Sequence, residues 1–109
     1  QAQGAVVMMQ SEPLYEDMRF GPNGELLNPN LHEYLIASAM DAPEIDSTFV
    51  ESYEPAGPFG AKEVGEGSTL PVIGAIANAI YDAVGVRVRE IPVTPERMLR
   101  ALKVKKSGT

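Results

Sequence analysis

The chain contains no cysteine, and it has a single histidine among its 109 residues. Without cysteine, these residues can form no disulfide framework, no thiolate zinc site and no cysteine-bound iron–sulfur cluster. The one histidine, His32, lies in a polar turn without spaced carboxylates around it, so a histidine-based metal site is not expected. We therefore expect the chain to supply no metal ligand.

Basic residues are few, and long apolar runs are missing. Nine Lys and Arg residues stand against fifteen Asp and Glu, which gives a net charge of −6 and a pI of about 4.7. This balance argues against a nucleic-acid-binding surface. The most apolar stretch, residues 70–86, is interrupted by Asn78 and Asp82, so we expect no membrane segment. The bacterial cytoplasm is the expected compartment, with the periplasm as an alternative.

The segment from Gly60 to Thr69 carries one carboxylate, Glu66, between two glycines on a loop that leads into an apolar helix. Glycine lets the backbone approach a bulky ligand and adopt angles that a Cβ disfavours. A helix start supplies unpaired N–H groups and a positive dipole end, which favour anions. The residues alone fit either a ligand loop that presents a carboxylate or a solvated carboxylate near a helix N-terminus.

The hydrophobic pattern predicts an α+β fold with one long helix over about residues 69–84. Apolar residues recur there at helical spacing: Leu70, Ile73, Ile76, Ile80 and Val84. Ser68 or Thr69 is predicted to cap the start of this helix, and Gly85 to end it. A first helix over residues 2–10 is predicted to end before Pro13.

The remaining pattern predicts a small mixed sheet. Residues 15–20 and 25–27 flank a Gly-Pro-Asn-Gly turn and are expected to form a hairpin. Residues 48–53 are rich in β-branched and aromatic side chains, and residues 86–89 alternate as a strand with one buried face. A short last helix should open at Thr94-Pro95. We expect residues 1–109 to form a single piece, with 103–109 as a flexible tail.

Several motifs resemble one enzyme family. Residues 60–66 read G-A-K-E-V-G-E, residues 1–7 read Q-A-Q-G-A-V-V, and residues 55–63 read P-A-G-P-F-G-A-K-E. They resemble the glutamate loop and the glutamine helix of the xanthine dehydrogenase and aldehyde oxidase family of molybdenum hydroxylases. The variant is closest to bacterial xanthine dehydrogenase-like and hydroxybenzoyl-CoA reductase-like subunits. The chain is thus identified as a C-terminal part of a molybdopterin-binding large subunit, although residues 8–11 depart from the family's first helix.

The resemblance implies that Glu66 is the catalytic general base in the hydroxylation of an electrophilic carbon with oxygen from water. Gln1 would hydrogen-bond the pterin. The loop residues implied to bind the cofactor are Lys62, Glu63, Val64 and Gly65. The implied cofactor is molybdenum–molybdopterin in a dinucleotide form, with iron–sulfur clusters and FAD on other domains or subunits. The implied partners are the remainder of the molybdenum subunit, an iron–sulfur subunit and a flavin subunit.

Plainer alternatives stay open. Lys62 could be a surface lysine, and Gln1 a frayed terminal amide. The group Asp41, Glu44 and Asp46 fits a solvated loop better than a calcium site. The whole chain could also be a non-catalytic assembly module, or a split-gene remnant that docks on a partner chain. By itself the chain is expected to be inactive, and its sequence does not determine the substrate.

Overall fold

The computed structural model describes residues 1–107 of the chain. Its regular secondary structure in that part consists of helices. These are α1 (Ala2–Leu14), a short 3-10 helix (Pro58–Gly60), α2 (Val72–Val84) and α3 (Pro95–Ser107). A long irregular segment connects α1 to α2, and the loop that carries Glu66 is its last part.

The predicted α+β fold with a small mixed sheet is wrong. No strand is present in residues 1–107, and the one β pairing there is an isolated antiparallel bridge between Phe20 and Leu26. The segments 48–53 and 86–89 form no strand, although burial does alternate in the second, with Val86 buried. A favourable β propensity is not enough to form a sheet, because every strand needs a second strand to pair with.

The predicted hairpin is reduced to a tight turn around that bridge. The Gly21 N–H donates to the Glu25 carbonyl at 2.9 Å, and Gly24 adopts a φ of 83°, which favours glycine. Asn28 is 1% exposed and fixes the turn from inside. Its Oδ1 accepts the Arg19 N–H at 2.9 Å, and its Nδ2 donates to a backbone carbonyl at 2.7 Å. The turn is thus held by local hydrogen bonds without a sheet.

Helix α1 holds much of the fold together. It extends to Leu14 and includes Pro13, so the predicted end at residue 10 is wrong. The helix packs against α2, with Ala5 and Val72 buried. Side chains of α1 also bond the backbone of residues 37–45, at distances of 2.8 to 3.1 Å, through Gln3, Gln10 and Ser11. Contacts with α1 thereby position the segment that precedes the glutamate loop.

The predicted long helix is confirmed over Val72–Val84, the residues of α2. It is continuous from Val72 to Val84 across Gly74, and Gly85 ends it in the left-handed region with φ 64°. The Gly85 N–H donates to the Tyr81 carbonyl at 2.7 Å. Residues 1–107 contain no sheet on which its apolar stripe could pack, and α2 packs against α1 instead.

Helix α3 opens as predicted, since the Thr94 hydroxyl accepts the Arg97 N–H at 3.3 Å. Lys105 Nζ donates to the Val84 carbonyl at 2.7 Å, which places the last turn of α3 at the C-terminal end of α2. Residues 103–107 are helical, and residues 108–109 lie outside the described part. The flexibility expected for 103–109 stays a prediction.

The described chain is open and has little core. Its radius of gyration is 18.1 Å, whereas a compact domain of this length has about 13 Å. The buried hydrophobic residues are Ala5, Val72 and Val86, while Val50 is 90% exposed and Met40 93% exposed. Apolar surface on this scale is typical of a surface that contacts other protein.

Candidate functional site

The Glu66 loop is built from consecutive turns. Residues 65–71 form an unbroken series of turns that leads into α2, so Glu66 lies ahead of the helix and not at its first turn. The carboxylate of Glu63 accepts the Glu66 N–H at 3.0 Å through Oε2 and the Gly67 N–H at 3.2 Å through Oε1. Glu63 therefore fixes the backbone on which the Glu66 side chain stands.

The predicted caps of α2 are wrong. The hydroxyl groups of Ser68 and Thr69 donate back into the loop, to the Val64 carbonyl at 2.7 Å and the Glu66 carbonyl at 2.6 Å. The residue that precedes α2 is Pro71, which makes no side-chain cap. These hydroxyls stabilise the loop itself, because they add hydrogen bonds to its backbone carbonyls; the Glu66 carbonyl also accepts the Thr69 N–H at 3.0 Å.

The loop and the start of α1 enclose a common pocket. The pocket has a volume of about 280 Å³ and is lined by Gln1, Gly4, Ala5, Met8, Gly65, Glu66 and Thr69. A Cβ built on Gly65 would lie 3.5 Å from Nε2 of Gln1, so the glutamine amide sits directly against this glycine. Gln1 and Glu66, which belong to two separate sequence motifs, thus line the same pocket.

The other predicted cofactor-binding residues are arranged differently. Val64 lines a larger, mostly apolar groove of about 860 Å³ between α1, α2 and residues 43–49. Lys62 is exposed and its side chain makes no hydrogen bond within residues 1–107. The backbone N–H groups of residues 62–65 have no acceptor within the described chain either. These backbone donors are therefore unpaired in the described chain, and of the four residues Gly65 lines the pocket.

The sequence predicts unusual backbone angles at the two glycines beside Glu66, but this part of the chain adopts them earlier, at Phe59 and Gly60. Positive φ angles occur at Phe59 (56°) and Gly60 (74°), and not at Gly65 or Gly67. The ring of Tyr53 lies against Gly60, where a Cβ would come within 2.5 Å of Tyr53 Cδ2. Close packing of this ring on the turn before the glutamate loop therefore needs glycine at position 60.

The acidic loop before the predicted strand has its own local structure. Hydrogen bonds from the Ser38 hydroxyl and the Ser38 N–H to Asp41, at 2.7 and 2.8 Å, hold the pKa of the Asp41 carboxyl below its usual value.

Within residues 1–107, no three His, Cys, Asp or Glu side chains are grouped so that they could hold a metal ion. In the same residues, no helix has the length and apolar character that a bilayer span requires.

The chain is similar to curated molybdenum subunits. It is 37% identical over 99 residues, 90% of the chain, to the xanthine dehydrogenase molybdenum-binding subunit of Escherichia coli O157:H7. It is 34% identical over 101 residues, 91% of the chain, to the aldehyde oxidoreductase molybdenum-binding subunit PaoC of Escherichia coli K12. No protein-family model matches the chain.

A solved structure shares the fold of the chain. The quinoline 2-oxidoreductase of Pseudomonas putida 86 superimposes with a TM-score of 0.81 and 27% identity over 94% of the chain. The match covers 13% of that enzyme chain, and the chain likewise spans 13% and 14% of the two curated relatives. The open shape and exposed apolar surface agree with a segment that packs within a much larger protein.

These similarities define a class of oxidoreductase subunits that bind molybdenum and work in complexes of several subunits. The chain belongs to the xanthine dehydrogenase and aldehyde oxidase family of molybdenum-binding subunits. The family resemblance read from the glutamate loop is therefore confirmed.

Proposed function

We propose that this chain contributes a general base, Glu66, and one wall of the molybdopterin site to an enzyme that hydroxylates an electrophilic carbon with oxygen from water. The observation that carries the proposal is the pocket in which Glu66, Gly65 and the Gln1 amide meet. The names of the relatives support molybdenum as the metal of this site, because both curated relatives are molybdenum-binding subunits. The rate at which substrate reduces a Glu66→Gln variant of the complete enzyme tests the assignment.

The residues around the pocket fit a pterin cofactor. A pterin presents hydrogen-bond acceptors and donors at its edge, and a dinucleotide form adds phosphate oxygens. The Gln1 amide can both donate and accept, and the free N–H groups of residues 62–65 can donate to such oxygens. We assign cofactor contacts to Gln1, to the backbone of Val64 and Gly65, and to Lys62, whose ammonium suits a phosphate.

We assign the proton transfer to Glu66. Its side chain lines the pocket and makes no hydrogen bond within the described residues, so both carboxylate oxygens are open to a ligand. Glu66 Oε takes the proton of the water-derived oxygen nucleophile as that oxygen attacks the substrate carbon, which is worth on the order of 10²–10⁴-fold in rate. The molybdenum cofactor, when bound, supplies the oxidation–reduction chemistry.

The proposal extends to the rest of the enzyme. Iron–sulfur clusters and FAD would lie on other domains or subunits and would accept the electrons, so we propose an iron–sulfur subunit and a flavin subunit as partners. The chain works as part of the molybdenum subunit, in the bacterial cytoplasm. The relatives named after xanthine and aldehydes support a small electrophilic substrate, such as a purine or an aldehyde.

We propose that Glu63 is a positioning residue that holds the backbone of Glu66 in place. In the complete enzyme, Glu63→Ala removes the acceptor of two loop N–H groups, so the loop should lose its fixed course and the rate of substrate reduction should fall by about 10-fold. Glu63→Gln keeps one acceptor oxygen and should recover part of that loss. Both rates are compared at equal molybdenum content, together with hydrogen exchange at the Gly67 amide.

Glu44→Ala is the matched control, because Glu44 is exposed and makes no side-chain hydrogen bond in the described chain. It should leave both the rate and the Gly67 exchange unchanged. Unchanged exchange at Gly67 in Glu63→Ala would contradict the positioning role, and a direct contact of Glu63 with the cofactor would then show as a loss of molybdenum alone.

A further inference from the structure

We propose that Thr69 is a positioning residue for the general base, and that it connects the backbone of Glu66 to helix α2. Thr69 stands three residues after Glu66, is half-buried, and lines the same pocket. Its hydroxyl does not cap α2 but bonds the Glu66 carbonyl. The inference rests on the proposed role of Glu66 as the base.

Thr69 holds the Glu66 carbonyl with two hydrogen bonds. The Thr69 hydroxyl donates to this oxygen at 2.6 Å, and the Thr69 N–H donates to it at 3.0 Å. The carbonyl carbon is bonded directly to the Cα of Glu66, so a fixed carbonyl limits rotation of the backbone at this residue. The point from which the Glu66 side chain starts is thereby fixed relative to Thr69.

Thr69 is in turn joined to the packed helices. Its carbonyl accepts the N–H of Val72, the buried first residue of α2, at 3.4 Å. Helix α2 packs against α1, and Gln1, directly before α1, lies on the other wall of the pocket. A path of bonds and contacts therefore runs from the helices through Thr69 to the backbone of Glu66, and it fixes the base relative to Gln1.

The backbone of Glu66 is held from both sides. The Glu63 carboxylate accepts its N–H at 3.0 Å, and Thr69 holds its carbonyl. The Glu66 side chain itself makes no hydrogen bond within residues 1–107, so these backbone contacts set the position of the carboxylate in the described chain. Position matters for the rate, because a misplacement of about 1 Å can cost on the order of 10²-fold. Thr69 thus acts on the reaction through Glu66.

Thr69→Val in the complete, cofactor-loaded enzyme tests the role of the hydroxyl. Valine keeps the branched shape and the N–H that bonds Glu66, so the loop should form but be held less firmly. The limiting rate of reduction by xanthine or an aldehyde, whichever reduces the wild-type enzyme, should fall by about 5-fold. The half-saturating substrate concentration should not change. Thr69→Ser keeps the hydroxyl and should recover most of the rate. Thr48→Val is the control with the same chemical change, because Thr48 is exposed and makes no side-chain hydrogen bond in the described chain.

Hydrogen–deuterium exchange of the same enzymes gives a second measurement that does not depend on turnover. The amides of Glu66 and Gly67 are bonded to Glu63, and they exchange when the loop opens locally. Loss of the Thr69 hydroxyl should raise their exchange by about 5-fold, the factor expected for one hydrogen bond. Thr69→Ser should exchange like the wild type. Unchanged exchange in Thr69→Val would overturn the proposal.

A double variant shows whether Thr69 acts through Glu66. Glu66→Gln combined with Thr69→Val should be reduced at the same rate as Glu66→Gln alone, because no base is left to position. A further loss of about 5-fold would overturn the proposal, since Thr69 would then act independently of Glu66. A wild-type rate in Thr69→Val, an equal loss in Thr69→Ser, or a change in the half-saturating concentration alone would overturn it too. Glu66→Gln at the wild-type rate would instead refute the general base itself, so the two failures are distinguishable.

Discussion

In the complete enzyme, Glu66→Gln is expected to slow reduction by substrate at least ~10²-fold, equivalent to roughly 3 kcal/mol of transition-state stabilisation. Glutamine keeps the shape of the side chain and its ability to hydrogen-bond, but it cannot hold a full proton. Because a general base acts in the transition state, the loss should fall on the chemical step. Substrate binding and molybdenum content should change little.

The measurement is a single reductive half-reaction, followed by absorbance at matched molybdenum content. Glu44→Gln provides the control with the same change of charge, since Glu44 is exposed and its side chain makes no hydrogen bond in the described chain. Glu63→Gln is unsuitable for that purpose, because the Glu63 carboxylate bonds the Glu66 and Gly67 amides. Reduction of Glu66→Gln at the wild-type rate would show that Glu66 is not the base.

The polypeptide of residues 1–109 on its own is expected to show no cooperative thermal transition, no turnover and no stoichiometric molybdenum. Three hydrophobic side chains are buried in the described part, and its radius of gyration of 18.1 Å exceeds the compact value of about 13 Å. So small a core cannot offset the conformational entropy of ordering the chain. In addition, one wall of a pocket gives the cofactor few contacts.

Calorimetry, small-angle scattering and metal analysis of the same sample check this expectation. In solution the isolated polypeptide should be at least as expanded as 18.1 Å, with no heat-absorption peak. The complete molybdenum subunit, prepared in parallel, is the control that should unfold cooperatively and retain molybdenum. A sharp transition with one molybdenum per isolated chain would contradict the view that this segment depends on the remaining protein.

The parts of the structure that the sequence predicts well are those governed by neighbouring residues. The continuous helix α2 and its end at Gly85 follow from helical spacing and from the left-handed conformation that glycine adopts easily. The Thr94 cap of α3 is equally local, since the hydroxyl and the Arg97 N–H are three residues apart. The glutamate loop was likewise recognisable, because its motif is contiguous, and the comparisons confirm the family.

Other local features could not be read in advance. Glu63 reaches the amides of Glu66 and Gly67, and the Ser68 hydroxyl turns back into the loop instead of capping α2. Such side-chain to backbone bonds depend on the course of the loop, which the pattern of residue types did not specify. Asn28, buried inside the first turn, gave no signal beyond its residue type.

By itself, then, the sequence determined the family, the glutamate loop and the helices, because short motifs and helical hydrogen bonds involve residues close along the chain. Tertiary structure alone decided that Gln1 lies against Gly65 beside Glu66, and that residues 48–53 have no strand beside them. The physical reason is that both outcomes depend on distant parts of the polypeptide. A helix completes its hydrogen bonds within one segment, whereas a strand or a shared pocket needs a second segment to be brought to it.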